Sequence, residues 1–275
     1  MHSGKSRNPA PRFWRDAALP FIEARFVADG RKVCYENHAH AIFSIGAITG
    51  GCSTYINGDS RHSVREGCVV VINPEQVHAC NPIDDQLWSY CMFYVDAAWL
   101  TGLQHELGFS QGLGFRKFAT TLTTDPVLYR GLNHLYKTLI DKDAGQLCKH
   151  STAILFFSEV QTRLNPAPEL FHIENNKLER AAEFISAHCT RDLRLDDICA
   201  AAELSPSYLI RAFRKQYGMT PHAYLVNRRI QYAQAQLKCG RPIADVALDA
   251  GFADQAHFQR VFKRLLAATP GQYIA

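Results

Sequence analysis

The last third of this 275-residue chain repeats itself at an offset of 49 residues. Arg211–Lys215, with the letters RAFRK, returns as Arg260–Arg264, with the letters RVFKR. The residues that follow repeat as well: Thr220-Pro221 and Tyr224 in the first copy, Thr269-Pro270 and Tyr273 in the second. Each copy centres on a basic amphipathic helix, so the sequence predicts one kind of binding surface that is built twice.

The positive charge of the chain is concentrated in this repeat region. The formal net charge is +4, and from His172 onward there are 14 Lys and Arg against 10 Asp and Glu. No acidic residue lies between Glu203 and Asp245, whereas seven basic residues do. Because phosphates attract basic side chains and repel carboxylates, this pattern favours double-stranded DNA as the partner. A solvated basic face is the alternative.

The remaining composition indicates a cytoplasmic protein with no membrane partner. Nine cysteines are scattered without CxxC spacing, which is typical of reduced thiols. No apolar run approaches the roughly 18 residues that a membrane helix needs. Residues 1–20 are polar at their start, lack the apolar run of a signal peptide and are expected to be a flexible N-terminus.

The chain is predicted to be an α+β protein with two domains. Residues 21–118 carry short apolar or alternating runs that predict a β-barrel. The predicted strands are Ala41–Ile48, Cys52–Ile56, Cys68–Ile72 and Leu87–Val95, with turns at Gly50-Gly51 and at Asn57-Gly58-Asp59. Residues 125–164 have helical periodicity and complete an N-terminal domain over 21–165. A linker over 166–173 then leads to an all-α domain over 174–275.

The first copy of the repeat has the pattern of a helix-turn-helix motif. Ser205 is a favourable N-cap, Pro206 suits the first turn, and Gly218 ends the helix after Tyr217. A shorter helix precedes it over about Asp196–Ala202. The inner face of the longer helix carries Leu209, Ala212 and Phe213, and the outer face carries Ser207, Ile210, Arg211 and Arg214.

The second copy repeats these faces as well as the letters. Pro242 opens a short helix, and Asp254 takes the N-cap position that Ser205 has in the first copy. The inner face carries Phe258, Val261, Phe262 and Leu265, and the outer face carries Ala256, Gln259, Arg260 and Lys263. A helix from Thr220-Pro221 to about Lys238 joins the two motifs. Two recognition helices about 34 Å apart would enter successive major grooves.

The outer residues suit the chemistry of base recognition. Arginine forms two hydrogen bonds with guanine, glutamine suits adenine, and small apolar groups suit the thymine methyl. Lys215, Arg228 and Arg229 are predicted to contact phosphate, which positions a protein without reading sequence. A basic helical bundle used for protein contacts remains the alternative.

The stretch from about Lys177 to Ala275 resembles the AraC/XylS family of transcription regulators. The residues that carry the resemblance include Leu204–Leu209, Tyr217–Pro221, Pro242-Ile243, Gly251-Phe252, Phe262-Lys263 and Thr269-Pro270. The resemblance assigns Ser207, Tyr208, Ile210 and Arg211 to the first recognition helix, and Gln255, Ala256, His257 and Arg260 to the second. The chain departs from the family pattern at Arg194, Glu203 and Ala267, which puts the local turn shape in question.

Residues 25–95 resemble the cupin-like sensor domain that precedes the DNA-binding part in such proteins. His38-Ala39-His40, Gly67, Asn73–Glu75 and His78 carry this resemblance. It implies a small-molecule effector in the barrel, a homodimer formed through neighbouring helices, and contact with RNA polymerase. The dimer contact would use Val127–Ile140 or Ile154–Leu164, although either stripe could pack within its own domain.

Three histidines are candidate metal ligands. His38 and His40 alternate along one strand and therefore face the same side, and His78 could be the third ligand. The carboxylate of metal-binding cupins is missing, and Glu36 and Glu75 are the possible substitutes. A divalent metal is thus the one cofactor that these residues suggest. The alternative is that the histidines line an effector pocket together with Tyr55, Trp88 and Tyr90.

These features predict a sequence-specific regulator of transcription, an activator controlled by a small effector, and not an enzyme. A metal-dependent cupin enzyme fused to a DNA-binding module is the alternative. A third possibility is an architectural protein that binds DNA without sensing a ligand.

Overall fold

The computed structural model describes residues 11–109, 114–166 and 176–275. These residues form two compact units. The second unit contains the chain from 176 onward together with Tyr35–His40 and Gln76–His78, two segments that were predicted to belong to the N-terminal domain. Ala39 and Val77 belong to the core of the second unit, which explains this assignment. The predicted linker, apart from Pro166, lies outside the described residues.

An antiparallel sheet of eight strands forms the first unit. The strands are β1 (Arg12–Trp14), β2 (Ile22–Val27), β3 (Phe43–Asn57), β4 (Ser60–Arg65), β5 (Val69–Ile72), β6 (His78–Pro82), β7 (Trp88–Val95) and β8 (Leu122–Thr123). They are arranged in the order β1-β2-β7-β3-β5-β8, and both β4 and β6 also pair with β3. The antiparallel sheet and the α+β class confirm the prediction, while closure into a cupin-like barrel stays a prediction.

Strand β3 corrects the predicted turn at Gly50-Gly51. The two strands predicted over Ala41–Ile48 and Cys52–Ile56 are one strand of 15 residues. The register with β7 shifts between Ile48 and Gly50, which marks a β-bulge. Gly51 has φ +67°, and a Cβ at this position would lie 1.8 Å from the carbonyl oxygen of Leu87. The glycine therefore permits close approach of two strands rather than a reversal of the chain.

The hairpin at Asn57-Gly58-Asp59 was predicted correctly. Asn57 pairs with Ser60, and Gly58 has φ +55° in the two-residue turn between β3 and β4. The flexible N-terminus was wrong for the residues that the structure describes, because Arg12–Trp14 form an edge strand. Arg12 pairs with Phe26 of β2, and its guanidinium lies 5.0 Å from the centre of the Phe26 ring.

Three helices accompany the sheet. They are α1 (Ala97–Glu106), α2 (Pro126–Ile140) and α3 (Gln146–Leu164), and α1 lies inside the range predicted as barrel. Leu128, Leu132, Leu135 and Leu139 of α2 are fully buried and join the sheet core, as their spacing predicted. Ile140 was predicted on the same face but is 44% exposed.

Seven helices make up most of the second unit. They are α4 (Asn176–Ala187), α5 (Leu195–Ala202), α6 (Pro206–Tyr217), α7 (Pro221–Lys238), α8 (Ile243–Asp249), α9 (Gln255–Leu266) and α10 (Pro270–Ile274). Leu209, Phe213 and Leu225 share a core with Leu178 and Ile185 of α4. Each such side chain stabilises the fold by about 1.5–3 kcal/mol. In the part of the chain that is described, no helix has the length and apolar character to span a membrane.

Candidate nucleic-acid interface

Helix α6 begins and ends where the sequence predicted. Ser205 occupies the N-cap, Pro206 is the first helical residue, and Gly218 ends the helix with φ +69°. Leu209 and Phe213 are fully buried, and the Phe213 ring lies 5.3 Å from the ring of Tyr224. The inner face is thus fixed by packing against α7, and this determines which residues face outward.

The outward residues of α6 are accessible to a partner. Tyr208 is 45% exposed and Ile210 is 40% exposed. The other predicted contact residues of this helix are exposed as well: Ser207, Arg211, Arg214 and Lys215.

Helix α9 is organised in the same way. The carboxylate of Asp254 accepts a hydrogen bond from the backbone N–H of His257 at 2.6 Å, so the predicted N-cap is formed. Phe258, Val261, Phe262 and Leu265 are buried. The six residues predicted to contact DNA are all exposed: Gln255, Ala256, His257, Gln259, Arg260 and Lys263. DNA contact by these residues stays a prediction.

Helix α7 joins the two motifs as predicted, from Pro221 to Lys238. The hydroxyl of Thr220 caps it by accepting a hydrogen bond from the N–H of Ala223 at 3.2 Å. With 18 residues the helix is roughly 27 Å long. Tyr224, Leu225, Ile230, Ala233 and Leu237 bury one face of it. The connector is thus held to the core along its whole length.

The basic residues of the two outer faces differ from other arginines of the same unit in their ion pairing. Arg264 pairs with Glu36 at 2.9 Å, and Arg241 pairs with Asp249 at 2.6 Å. Within residues 176–275, no carboxylate forms an ion pair with Arg211, Arg214, Arg260 or Lys263. These four charges are therefore available to an anionic partner.

Arg229 has a structural role inside its own unit, which weakens the case for a phosphate contact; that contact stays a prediction. Its Nε donates to the carbonyl of Cys189 at 2.8 Å, Nη1 donates to Gly251 at 2.7 Å, and Nη2 donates to Arg191 at 2.8 Å. Burial lowers its pKa from the ordinary value. The side chain ties α7 to the segment after α4 and to the turn between α8 and α9. Sequence reasoning missed this role because the three acceptors are backbone groups far away in the chain.

Arg228 is also engaged inside the unit. Its guanidinium lies 4.7 Å from the centre of the Tyr224 ring, and it donates to the side-chain oxygen of Gln231 at 2.8 Å. It further donates to the Tyr224 hydroxyl. These contacts hold the guanidinium against α7 and weaken the case for a phosphate contact. Of the three residues predicted for phosphate, Lys215 is the exposed one.

The departures from the family pattern are accommodated locally. Glu203 and Ala267 end their helices in the left-handed region, with φ +53° and +48°. The Glu203 carboxylate accepts hydrogen bonds from Lys177 at 3.3 Å and from Arg180 at 3.4 Å. The N–H of Arg194 donates to the Asp197 carboxylate at 2.8 Å, so α5 has a cap of its own. The turns therefore form without the usual glycines, although both residues are strained.

The three candidate metal ligands lie together in the second unit. The potential ligand atoms of His38, His40 and His78 are all within 4.8 Å of one another. His38 and His78 are buried and His40 is half-buried. Burial, together with the neighbouring His38 and His40, holds the pKa of His78 well below its ordinary value. The predicted substitutes for the carboxylate are not in this group, and Glu36 instead pairs with Arg264.

The aromatic residues proposed for an effector pocket are buried inside the first unit, and their contact with an effector stays a prediction. Tyr55 and Trp88 are fully buried and Tyr90 is 4% exposed. The Tyr55 hydroxyl donates to the carbonyl of Val71 at 3.0 Å, and burial raises its pKa. Trp88 stacks on Tyr90 at 4.8 Å between ring centres. Buried aromatic residues in a strand are compatible both with the lining of an interior pocket and with a core.

Two family models match the chain. Residues 22–158 match the AraC-like ligand binding domain, and residues 198–275 match a helix-turn-helix domain. The first match runs from the start of β2 into α3, and the second runs from within α5 to the end of the chain.

The similar proteins are named as transcription regulators. The uncharacterised HTH-type transcriptional regulator YbfI of Bacillus subtilis is 29% identical over 238 residues, which are 81% of each chain. The arabinose operon regulatory protein of Escherichia coli is 36% identical over 104 residues, which are 37% of this chain and 35% of that protein. The match to that second relative thus spans about a third of its length.

Solved structures share the fold over nearly the whole chain. Apo ToxT from Vibrio cholerae superposes with a TM-score of 0.62 at 17% identity, over 92% of this chain and 96% of that chain. ToxT with a bound unsaturated fatty acid superposes with a TM-score of 0.57 at 17% identity, over 98% and 96%. The family models, the named relatives and the duplicated helix-turn-helix geometry agree: the chain belongs to the AraC family of DNA-binding transcription regulators, with a ligand-binding domain ahead of the helix-turn-helix domain.

Proposed function

We propose that α6 and α9 are two recognition helices that read one duplex. The observation that carries the proposal is the duplication of an exposed outer face. Ser207, Ile210, Arg211 and Arg214 correspond at an offset of 49 residues to Ala256, Gln259, Arg260 and Lys263, and all eight are exposed. Helix α7 is packed along its length and is therefore a fixed connector between the two faces.

The side chains suit direct contact with base edges. Arg211 and Arg260 have the planar donors that pair with guanine, and Gln255 and Gln259 have the donor and acceptor that adenine needs. Tyr208 and Ile210 provide apolar contact for thymine methyl groups. Lys215 contacts phosphate, which adds salt-dependent affinity without sequence preference.

The first unit is proposed to bind a small effector that alters transcription, with activation as the expected outcome. The match to an AraC-like ligand binding domain supports this assignment. The effector can shift the protein between two states only if it binds them with different affinities. The protein is further proposed to contact RNA polymerase and to act without enzymatic turnover.

The proposed location is the cytoplasm, where the DNA lies. The nine unpaired thiols suit such a reducing compartment.

The proposed homodimer uses the outer face of α3. Leu147 is 82% exposed, Leu155 is 70% exposed and Ile154 is 38% exposed. These residues recur at spacings of seven and eight along the helix, so they lie on one side. The apolar stripe of α2 is instead buried in its own unit, and this favours the α3 alternative. Leu155→Glu would give a monomer in analytical ultracentrifugation, whereas an unchanged dimer would exclude this face.

DNA binding by the full-length chain tests the main proposal. Regions bound in the genome supply the duplex, and fluorescence anisotropy measures affinity as a function of salt. Binding should weaken steeply with salt, and Arg260→Ala should weaken it further. Arg61→Ala is the matched control, since Arg61 is an exposed arginine of β4 in the first unit. Equal affinity of both variants, or no salt-dependent binding at all, would refute the proposal.

A further inference from the structure

The histidine cluster has the local structure of a metal site. The ring centres of His38 and His78 are 4.4 Å apart, and those of His40 and His78 are 4.8 Å apart. The backbones of His38 and His78 also form an antiparallel bridge, with N–H to carbonyl distances of 3.2 and 2.9 Å. The cluster is therefore held by the backbone and not only by side-chain packing.

Hydrogen bonds orient two of the three rings for coordination. Nδ1 of His38 lies 2.9 Å from the carbonyl oxygen of Glu36, and Nδ1 of His78 lies 2.9 Å from that of Gln76. A carbonyl can only accept, so each Nδ1 carries the hydrogen. In the neutral ring this leaves Nε2 with the lone pair that a metal needs. Metal-binding histidines usually make such a bond to a carbonyl, which fixes both the tautomer and the ring orientation.

We propose that His38, His40 and His78 bind one Zn²⁺ ion. Three imidazole ligands suit zinc and its transition-metal neighbours, whereas Mg²⁺ and Ca²⁺ prefer oxygen ligands. Water can take the fourth position. The ion bridges Tyr35–His40 and Gln76–His78, two segments that are far apart in sequence and belong to the second unit.

The site is linked to the helix between the two motifs. The carbonyl oxygen of Ala39, which lies between two of the ligands, accepts hydrogen bonds from Asn227 at 2.8 Å and from Gln231 at 2.9 Å. Both residues belong to α7, and Asn227 is buried. Val77, next to the third ligand, packs in the core that contains Leu209 and Phe213 of α6. The ion therefore stabilises the contacts of these two segments with α6 and α7. Because α6 is a proposed recognition helix, zinc binding changes DNA affinity. This second statement depends on the proposed function.

Metal titration of the full-length protein tests the site. Protein treated with a chelator is titrated with Zn²⁺ by calorimetry and with Co²⁺ by visible absorption. We expect one ion per chain. His40→Ala should reduce affinity by on the order of 100-fold, since loss of even an indirect partner of a metal ligand reduces affinity 10–100-fold. His40 is suitable because it is half-buried, and His78→Gln provides a second variant.

The control is His222→Ala, which removes an exposed histidine near the start of α7. It should bind Zn²⁺ like the unmodified protein. Circular dichroism verifies that each variant is folded before titration. The site is refuted if the unmodified protein binds no Zn²⁺, or if folded His40→Ala and His222→Ala bind it equally well.

The linkage is tested by measuring DNA affinity with and without Zn²⁺. We expect a change of about fivefold or more, and by reciprocity DNA changes Zn²⁺ affinity by the same factor. The double variant Asn227→Ala/Gln231→Ala should keep the metal and reduce this factor. Equal DNA affinity in both states refutes the linkage. If Zn²⁺ binds but DNA does not in either state, the proposed function fails while the metal site stands.

Discussion

The two helix-turn-helix motifs have the same faces but are held together differently. Phe213 and Phe262 correspond and are both fully buried. The first motif has Gly218 at the C-cap of its longer helix, whereas the second has Ala267 with φ +48°. The left-handed residue of the turn also differs, being Glu203 in the first and Gly251 in the second.

This difference shows that a repeat in sequence need not repeat the contacts that hold each motif together. The turn of the second motif relies on Arg229, which donates to the carbonyl of Gly251 and to two carbonyls near the end of α4. The side-chain contacts at the turn of the first motif are the exposed ion pairs of Glu203, which contribute little in water. We therefore expect the second motif to be the more sensitive to a single substitution in α7.

Arg229→Ala should have the largest effect on this comparison. It removes three charge-assisted hydrogen bonds and should lower the free energy of unfolding by about 3 kcal/mol. Urea unfolding followed by circular dichroism measures the loss. Arg229→Lys should recover only part of it, because one ammonium cannot reach three carbonyls in the same geometry. Unchanged stability together with weaker DNA binding would contradict the structural role and support the predicted phosphate contact.

Arg211→Ala and Arg260→Ala compare the two outer faces. Each should reduce binding to the preferred duplex by about 1–3 kcal/mol and relax preference at one base pair. Anisotropy with matched and substituted duplexes measures both effects. If one variant lowers affinity equally for all duplexes, that motif contributes phosphate contacts rather than base reading.

Gly251→Ala should destabilise the second motif by about 1–2 kcal/mol, because an L-residue is disfavoured at positive φ. Gly251 has φ +80°, and its Cβ would lie 3.0 Å from both Arg229 Cζ and the carbonyl oxygen of Thr190. Gly271→Ala is the control, since its Cβ would have no neighbour within 4 Å and it lies in a helix. Thermal unfolding should separate the two variants, and equal midpoints would contradict this account of the turn.

Ala267→Gly should have the smallest effect and the opposite sign. Glycine tolerates φ +48°, so the second motif should gain about 0.5–1 kcal/mol. Gly218→Ala at the corresponding position should lose at least as much, since its φ is +69° and a Cβ there would lie 3.1 Å from Val77 Cγ2. Chemical denaturation of both variants measures the pair. A loss in Ala267→Gly would mean that strain at this C-cap is not what distinguishes the motifs.

The sequence by itself determined the local features of the second unit. The start and end of α6 and α7 follow from Pro206, Gly218 and Thr220-Pro221, which act on the adjacent backbone. The inner and outer faces follow from helical spacing, and the offset of 49 residues places them twice. Such features involve residues a few positions apart, so they can be recognised without knowing how the chain folds back on itself.

Only the tertiary structure decided the contacts between distant residues. It merged two predicted strands into β3, because Gly51 approaches the backbone near Leu87 instead of turning. It brought the Arg229 guanidinium into hydrogen bonds with carbonyls about 20 to 40 residues away. It also brought His78 to His38 and placed Ala39 against α7. Backbone carbonyls are present at every residue, so a sequence pattern cannot indicate which of them a side chain will reach.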